Sequence, residues 1–218
     1  MKKPSIRGRI LIVDDHPITR EGIKSLVLTE KGLTVCGCAE DQNSALDKID
    51  TLKPDLVLVD ISLKGSNGIE LLKCIKARWR NQKTLVLSMH DESLYAVRAL
   101  RAGAAGYVMK QEATEKLLIA ISMVLNGGIY LSEKMESKMM QQLVGRRDFS
   151  MGVPIEDLSD RELEVFGLLG DGHGTRQIAE ELHLSMKTIE SHRAHIKEKL
   201  GLKNATELVQ HAIEWRKT

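Results

Sequence analysis

Four apolar runs in this chain each end on, or lead into, groups able to do chemistry. RILIVD (9–14) leads into Asp14 and Asp15, DLVLVD (55–60) ends on Asp60, TLVLSM (84–89) carries Ser88, and GYVMK (106–110) ends on Lys110. Alone, an Asp after a strand is an ordinary turn opener, and Ser88 a hydroxyl that caps one. A strand buried on both faces of a parallel sheet, however, reads as a continuous Val/Leu/Ile run. That places each group at a strand's carboxyl end, on the rim where open α/β sheets keep their sites. Three carboxylates gathered there raise one another's pKa unless a cation neutralises them, and oxygen ligands select a hard ion such as Mg2+. Lys110 adds a positive charge and Ser88 a donor. Such a set suits an anion with several oxygens, phosphoryl above all.

The elements that must position these groups follow from periodicity. Strand-like runs at 9–14, 33–39, 55–60, 84–89 and 106–110 alternate with helix-like runs at 18–28, 43–52, 68–79, 93–103 and 114–128. Strict alternation predicts an α/β fold, a five-stranded doubly wound parallel sheet covered on both faces, with right-handed crossovers. One more amphipathic helix opens at Ser132, and GRRDFSMGVP after it has the Gly, Arg, Ser and Pro of a linker. From 158 onward strand signals vanish. Four short helical patterns follow, two with capping-box spacing at Ser159/Glu162 and Asn204/Glu207 and one stopped by Gly201. The expected organisation is a domain over 8–128, a linker with one helix over 129–157, and a small all-α domain over 158–218.

Bulk properties exclude several classes. At 218 residues, 42% hydrophobic and 28% charged, the chain can bury two cores. Its longest apolar stretch to consider, LLIAISMVL (117–125), has nine residues, against about 20 for a membrane-spanning helix. The N-terminal MKKPSIRGR is followed by a short strand and two acids and not by a signal peptide's apolar region and cleavage site, so the sequence predicts a cytoplasmic protein with no membrane partner. Cys36, Cys38 and Cys74 fit a compartment where thiols stay reduced, and Cys36 and Cys38 read as small buried apolar residues, since too few companion ligands lie nearby for a metal site. His16 reads as the helix-entry residue before Pro17, because a hard ion among oxygens has little use for imidazole. GDGHGT (170–175) has no strand before it and no Lys after it, so it reads as a turn and not a phosphate loop. The net charge of +2 excludes a generally cationic coat. The tail is no more basic, with nine Lys/Arg against ten Asp/Glu over 158–218, yet within 186–203 Lys187, Arg193, Lys197, Lys199 and Lys203 face only Glu190 and Glu198. That local excess suits phosphate contacts.

DDHP (14–17), LVLVDISL (56–63), Ser88 and GYVMK, in this order and spacing over about 120 residues, resemble the flavodoxin-like receiver domain of two-component response regulators. The resemblance implies that Asp60 takes a phosphoryl group from a sensor histidine kinase. It also implies that Asp14, Asp15, Asp60 and the Ser62 carbonyl bind Mg2+, that Ser88 and Lys110 contact the phosphoryl oxygens, and that Tyr107 is the aromatic that changes orientation. The family often has Pro where this chain has Lys64, which bears on the stiffness of that loop. Aspartyl-phosphate phosphohydrolases, the enzyme alternative, place a second acid two residues after the nucleophile. Ser62 stands there instead, so the expected catalysis is confined to the protein's own phosphorylation and dephosphorylation. The intact set Asp14, Asp15, Asp60, Ser88 and Lys110 disfavours a third reading, an interaction module without phosphorylation.

RELEV (161–165), QIAEEL (177–182), KTIESH (187–192) and KLGL (199–202) resemble the LuxR-type helix-turn-helix domain over about 55 residues, and with the receiver match point to the NarL/FixJ class. The resemblance implies binding to a double-stranded DNA operator, as a homodimer when phosphorylated or DNA-bound. By position, Glu190, Ser191 and Ala194 would face base edges, and Lys187, Thr188, His192, Arg193 and Lys197 the backbone, with Lys199 in the same basic run. Glu190 would either accept from a cytosine amino group or pair with Arg193 or Lys187 along the helix.

Overall fold

The structure is a computed structural model that describes residues 7–63, 65–143 and 155–216. Lys64 and the linker stretch GRRDFSMGVP lie outside the described residues. The chain divides into two compact units between residues 143 and 155.

The first unit contains, in chain order, β1 (Gly8–Val13), α1 (Pro17–Val27), β2 (Leu33–Ala39), α2 (Gln42–Leu52), β3 (Leu56–Val59), the two-residue strands β4 (Ser62–Leu63) and β5 (Ser66–Asn67), α3 (Gly68–Arg78), β6 (Lys83–Ser88), α4 (Glu92–Ala102), β7 (Tyr107–Met109), α5 (Ala113–Leu125) and α6 (Glu133–Leu143). The main sheet is parallel throughout, in the order β2-β1-β3-β6-β7. Its strands are apolar on both faces because both are covered. Ile10, Ile12, Leu56, Leu58, Leu85 and Leu87 pack with Val27, Leu117, Ala120, Ile121 and Val124 from α1 and α5. The alternate residues Leu11, Val13, Val57, Val59 and Val86 are equally buried on the other face. Each such side chain contributes about 1.5–3 kcal/mol of burial.

Local chemistry sets the boundaries. Pro17 opens α1 after His16, and Asp41, Asn67 and Asp91 accept backbone N–H bonds at the starts of α2, α3 and α4. Gly103, at φ 115°, ends α4. The strand expected over 106–110 is shorter: Lys110 opens a single 3-10 turn, Lys110–Glu112, which leads into α5. The helix expected through 128 stops at Leu125. The chain then turns back so that Tyr130 pairs beside Gly106, with Tyr107 N donating to Tyr130 O (3.1 Å) and Tyr130 N to Ala105 O (2.9 Å). A Cβ at Gly106 would come within 2.6 Å of that Tyr130 oxygen, so a side chain there would push the segment off the edge. The helix expected in the linker belongs to the first unit: α6 buries Met135 completely, and Ser132 Oγ donates to Glu92 Oε1 at 2.6 Å.

The second unit is all-helical over its described residues: α7 (Asp160–Gly170), α8 (Thr175–Glu181), α9 (Met186–Lys199) and α10 (Ala205–Arg216). Leu163, Phe166, Leu169, Ile178, Ile189, Ile196, Leu208 and Ala212 form its buried core. Both expected capping pairs are made, Ser159 with Glu162 and Asn204 with Glu207, and Gly201 stands at φ 65° after α9. The turn between α8 and α9 places His183 at φ 52°. Within GDGHGT, Gly170 ends α7, residues 171–174 form the turn, and Thr175 opens α8.

Candidate functional site

The sheet's topology builds the site. Strand order reverses at β1 and β3, whose ends pair in register at Val13 and Val59. Their next residues, Asp14 and Asp60, therefore emerge side by side at the switch point of the doubly wound sheet. Both are buried, at 1% and 4% exposure. Lys110 crosses to them: its Nζ lies 2.6 Å from Asp60 Oδ2 and 2.7 Å from Asp14 Oδ2. Burial pushes the Asp60 carboxyl up to about 6, against the pull of Lys110 and with a further push from Asp14. Lys110 is raised despite its own burial, because the two carboxylates hold its charge.

Asp15 approaches the exposed His16 Nδ1 at 2.7 Å, and His16 N donates to Asp14 Oδ1 at 2.8 Å. Ligand atoms of Asp14, Asp15, His16 and Asp60 all lie within 4.8 Å of one another. Asp60 Oδ1 is buried with no hydrogen-bond partner. Three acids with such an open oxygen fit a divalent cation with oxygen preference.

Ser88, fully buried at the end of β6, accepts from His90 N at 3.3 Å. Tyr107 points inward at 1% exposure and its hydroxyl donates to the His90 carbonyl at 2.8 Å. Ser62, two residues past Asp60, meets His90 Nε2 through its hydroxyl at 2.9 Å, and the His90 ring lies against Tyr95, centroids 4.7 Å apart. His90 therefore touches Ser62, Ser88 and Tyr107 together. It escaped notice in the sequence, where its only signal is its place two residues past Ser88.

Gly68 makes the close approach of this loop possible. A Cβ there would stand 2.0 Å from the Asp60 carbonyl oxygen and 2.8 Å from Ile61 Cα, both rigid backbone. Gly68→Ala is expected to cost about 3 kcal/mol and displace Asp60, read as a lower urea midpoint together with lost phosphoryl uptake. Stability and uptake equal to those of the parent chain would refute the packing constraint.

In the second unit α9 turns Ile189 and Ile196 inward and leaves Lys187, Glu190, Ser191 and Ala194 exposed. Ser185 caps α9, accepting from Thr188 N, and its hydroxyl meets that of Thr188 at 2.8 Å. Ser191 Oγ donates back to Lys187 O. Lys187 and Lys197 have no ion pair among the described residues, whereas three residues expected along the DNA are engaged inside the unit. Lys199 Nζ sits 2.7 Å from Glu162 Oε2, Glu190 accepts from Thr175 Oγ1 at 2.8 Å, and Arg193 Nη1 donates to Thr175. Arg193 Nη1 lies 3.4 Å from the same Glu190 oxygen. His192 is partly buried, and burial with Arg161 nearby lowers its pKa.

The family described as response regulator receiver domain matches residues 10–122, and that of bacterial regulatory proteins, luxR family, residues 156–212. The chain is 35% identical over 210 residues to the oxygen regulatory protein NreC of Staphylococcus haemolyticus, covering 94% of this chain and 97% of that one. Among solved structures it resembles a LuxR-family two-component response regulator from Aurantimonas sp. SI85-9A1, at 34% identity and TM-score 0.60 over 64% of this chain and 99% of that one. It also resembles RcsB of Salmonella enterica serovar Typhimurium bound to promoter rprA with the phosphomimetic BeF3-, at 26% identity and TM-score 0.63 over 95% and 99%. Receiver match, luxR-family match and a relative similar along nearly the whole chain agree: this protein belongs to the two-component response regulators of the NarL/FixJ class, a receiver domain followed by a LuxR-type DNA-binding domain.

Proposed function

We propose that Asp60 accepts a phosphoryl group from a sensor histidine kinase and that the phosphorylated chain, as a cytoplasmic homodimer, binds a double-stranded DNA operator to regulate transcription. The observation that carries the first step is the asymmetry of Asp60: Oδ2 is held by Lys110 at 2.6 Å while Oδ1 is buried without a partner. One oxygen is oriented by a cation and the other keeps its lone pairs unengaged. A carboxylate is a weak nucleophile, and burial makes this one more basic, at about 6, while leaving it mostly ionised at neutral pH. Lys110 Nζ offsets charge that gathers on the transferred group, and the Ser88 hydroxyl is placed to donate to a phosphoryl oxygen.

Asp14, Asp15, Asp60 and the Ser62 carbonyl would hold Mg2+. Bound there, the ion supplies further charge neutralisation for phosphoryl transfer. The position where phosphohydrolases carry a second acid is Ser62, its hydroxyl bonded to His90, which supports catalysis confined to the protein's own phosphorylation and dephosphorylation.

Ser88 and Tyr107 share the backbone of His90, as acceptor from its N–H and donor to its carbonyl. A phosphoryl group that draws the Ser88 hydroxyl would weaken one of these bonds and favour reorientation of Tyr107, a two-state element biased by modification. Lys187, Thr188, Ser191, Ala194 and Lys197 remain the groups we assign to DNA. On duplex selected from a random pool, acetyl phosphate treatment is expected to tighten binding by the full chain at least about fivefold. Equal affinity before and after confirmed phosphorylation would sink the coupling.

A further inference from the structure

Arg193 differs from Lys187 and Lys197, which have no ion pair among the described residues. Like Lys199 it is engaged inside the unit, in its case by a ring of contacts with α8. Its side chain is 16% exposed and donates through Nη1 to Thr175 Oγ1, with Glu190 Oε1 3.4 Å away. Thr175 Oγ1 donates in turn to that same oxygen at 2.8 Å. The ring joins the first residue of α8 to the middle of α9, and Arg193 shares the inward side of α9 with Ile189 and Ile196.

We propose that Thr175 and Glu190 are positioning residues that hold the Arg193 guanidinium away from nucleic-acid phosphates. They thereby lower sequence-independent binding and raise the chain's discrimination for its operator. The inference rests on reading α9 as the helix that lies against DNA. Every phosphate neutralised by a side chain strengthens binding to all sequences alike and steepens the salt dependence by about 0.9. Specificity is a difference of affinities, so a cation withheld from non-specific duplex widens it. To reach a phosphate, Arg193 would give up its bond to Thr175 and its carboxylate neighbour. Glu190, 59% exposed, would then stand uncompensated beside the phosphates.

The test measures Kd of the full chain for a random-sequence duplex by fluorescence anisotropy between about 50 and 200 mM salt. Thr175→Val removes the hydroxyl without changing charge. It is expected to steepen the log–log slope by about 0.9, roughly a threefold change across that range. Thr175→Val with Arg193→Gln should return to the parent slope, Arg193→Gln alone should leave it unchanged, and Thr175→Ser should behave as the parent. An unchanged slope in folded Thr175→Val overturns the proposal, as does a slope flattened by about 0.9 in Arg193→Gln alone, which would make Arg193 an existing phosphate contact. If Thr175→Val does not fold, Glu190→Gln with and without Arg193→Gln decides by the same cancellation. Lys197→Ala separates this from the face assignment. A silent Lys197→Ala beside a steepened Thr175→Val keeps the restraint and discards the face.

Discussion

Replacing Asp60 by Asn is expected to abolish phosphoryl uptake from acetyl phosphate in the presence of Mg2+. The parent chain should gain one acid-stable, base-labile group, visible as a single mass increment, and the Asn variant none. The amide keeps the shape of the side chain but has no oxygen able to attack phosphorus, and it removes the charge that Lys110 holds at 2.6 Å. Chelation of the metal should act like the substitution, and Asp15→Ala should lower uptake to an equal or smaller degree. Lys110→Ala is expected to slow labelling by about 10²–10³, the usual cost of one electrostatic stabiliser. It leaves Asp14 and Asp60 facing each other without their cation. Labelling that persists in Asp60→Asn would move the phosphoacceptor elsewhere and dissolve the site's chemistry.

In metal-free protein the first unit is expected to lose stability as pH rises from about 4 to about 6. The carboxyl of Asp60 stands at about 6 in the folded chain because burial disfavours its charged form, against 3.8 as its ordinary value. Between those values the folded chain binds the proton more tightly than the unfolded one, so the proton stabilises the fold and its loss costs about 2–3 kcal/mol. That is the reverse of the usual Asp, whose folded pKa is depressed. Urea unfolding in chelator, followed through amide exchange in Leu56–Val59, measures it. Asp60→Asn removes this component, so its profile should be flatter over the window and its stability at neutral pH higher by a similar amount. Parallel profiles for the two proteins would show that Asp60 does not carry the strain of its burial.

Much of this protein was legible from strands read as periods. RILIVD, DLVLVD and TLVLSM are apolar without interruption because a doubly covered parallel sheet buries both faces, so the polar groups beyond them fall on one rim. This is how Asp14, Asp60 and Ser88 come to share a site. The helix starts at Ser159 and Asn204 were equally local, since a capping side chain bonds a backbone N–H three residues ahead.

Other features depend on partners far along the chain, and only the tertiary structure decided them. The sequence places Lys110 at the rim, but its simultaneous hold on Asp14 and Asp60 depends on β7 lying two strands from β3. Tyr130 closing beside Gly106 and α6 joining the first unit are contacts of a segment that composition alone presents as linker. Residue type cannot separate Lys197 from Arg193 or Lys199 on α9. Arg193 meets Thr175 and Lys199 meets Glu162 because α8 and α7 pass beside them, while no ion pair engages Lys197 among the described residues. A sequence specifies which charges a helix carries. Which of them remain for DNA is set by the neighbouring helices, because a pairing inside the fold competes directly with one outside it.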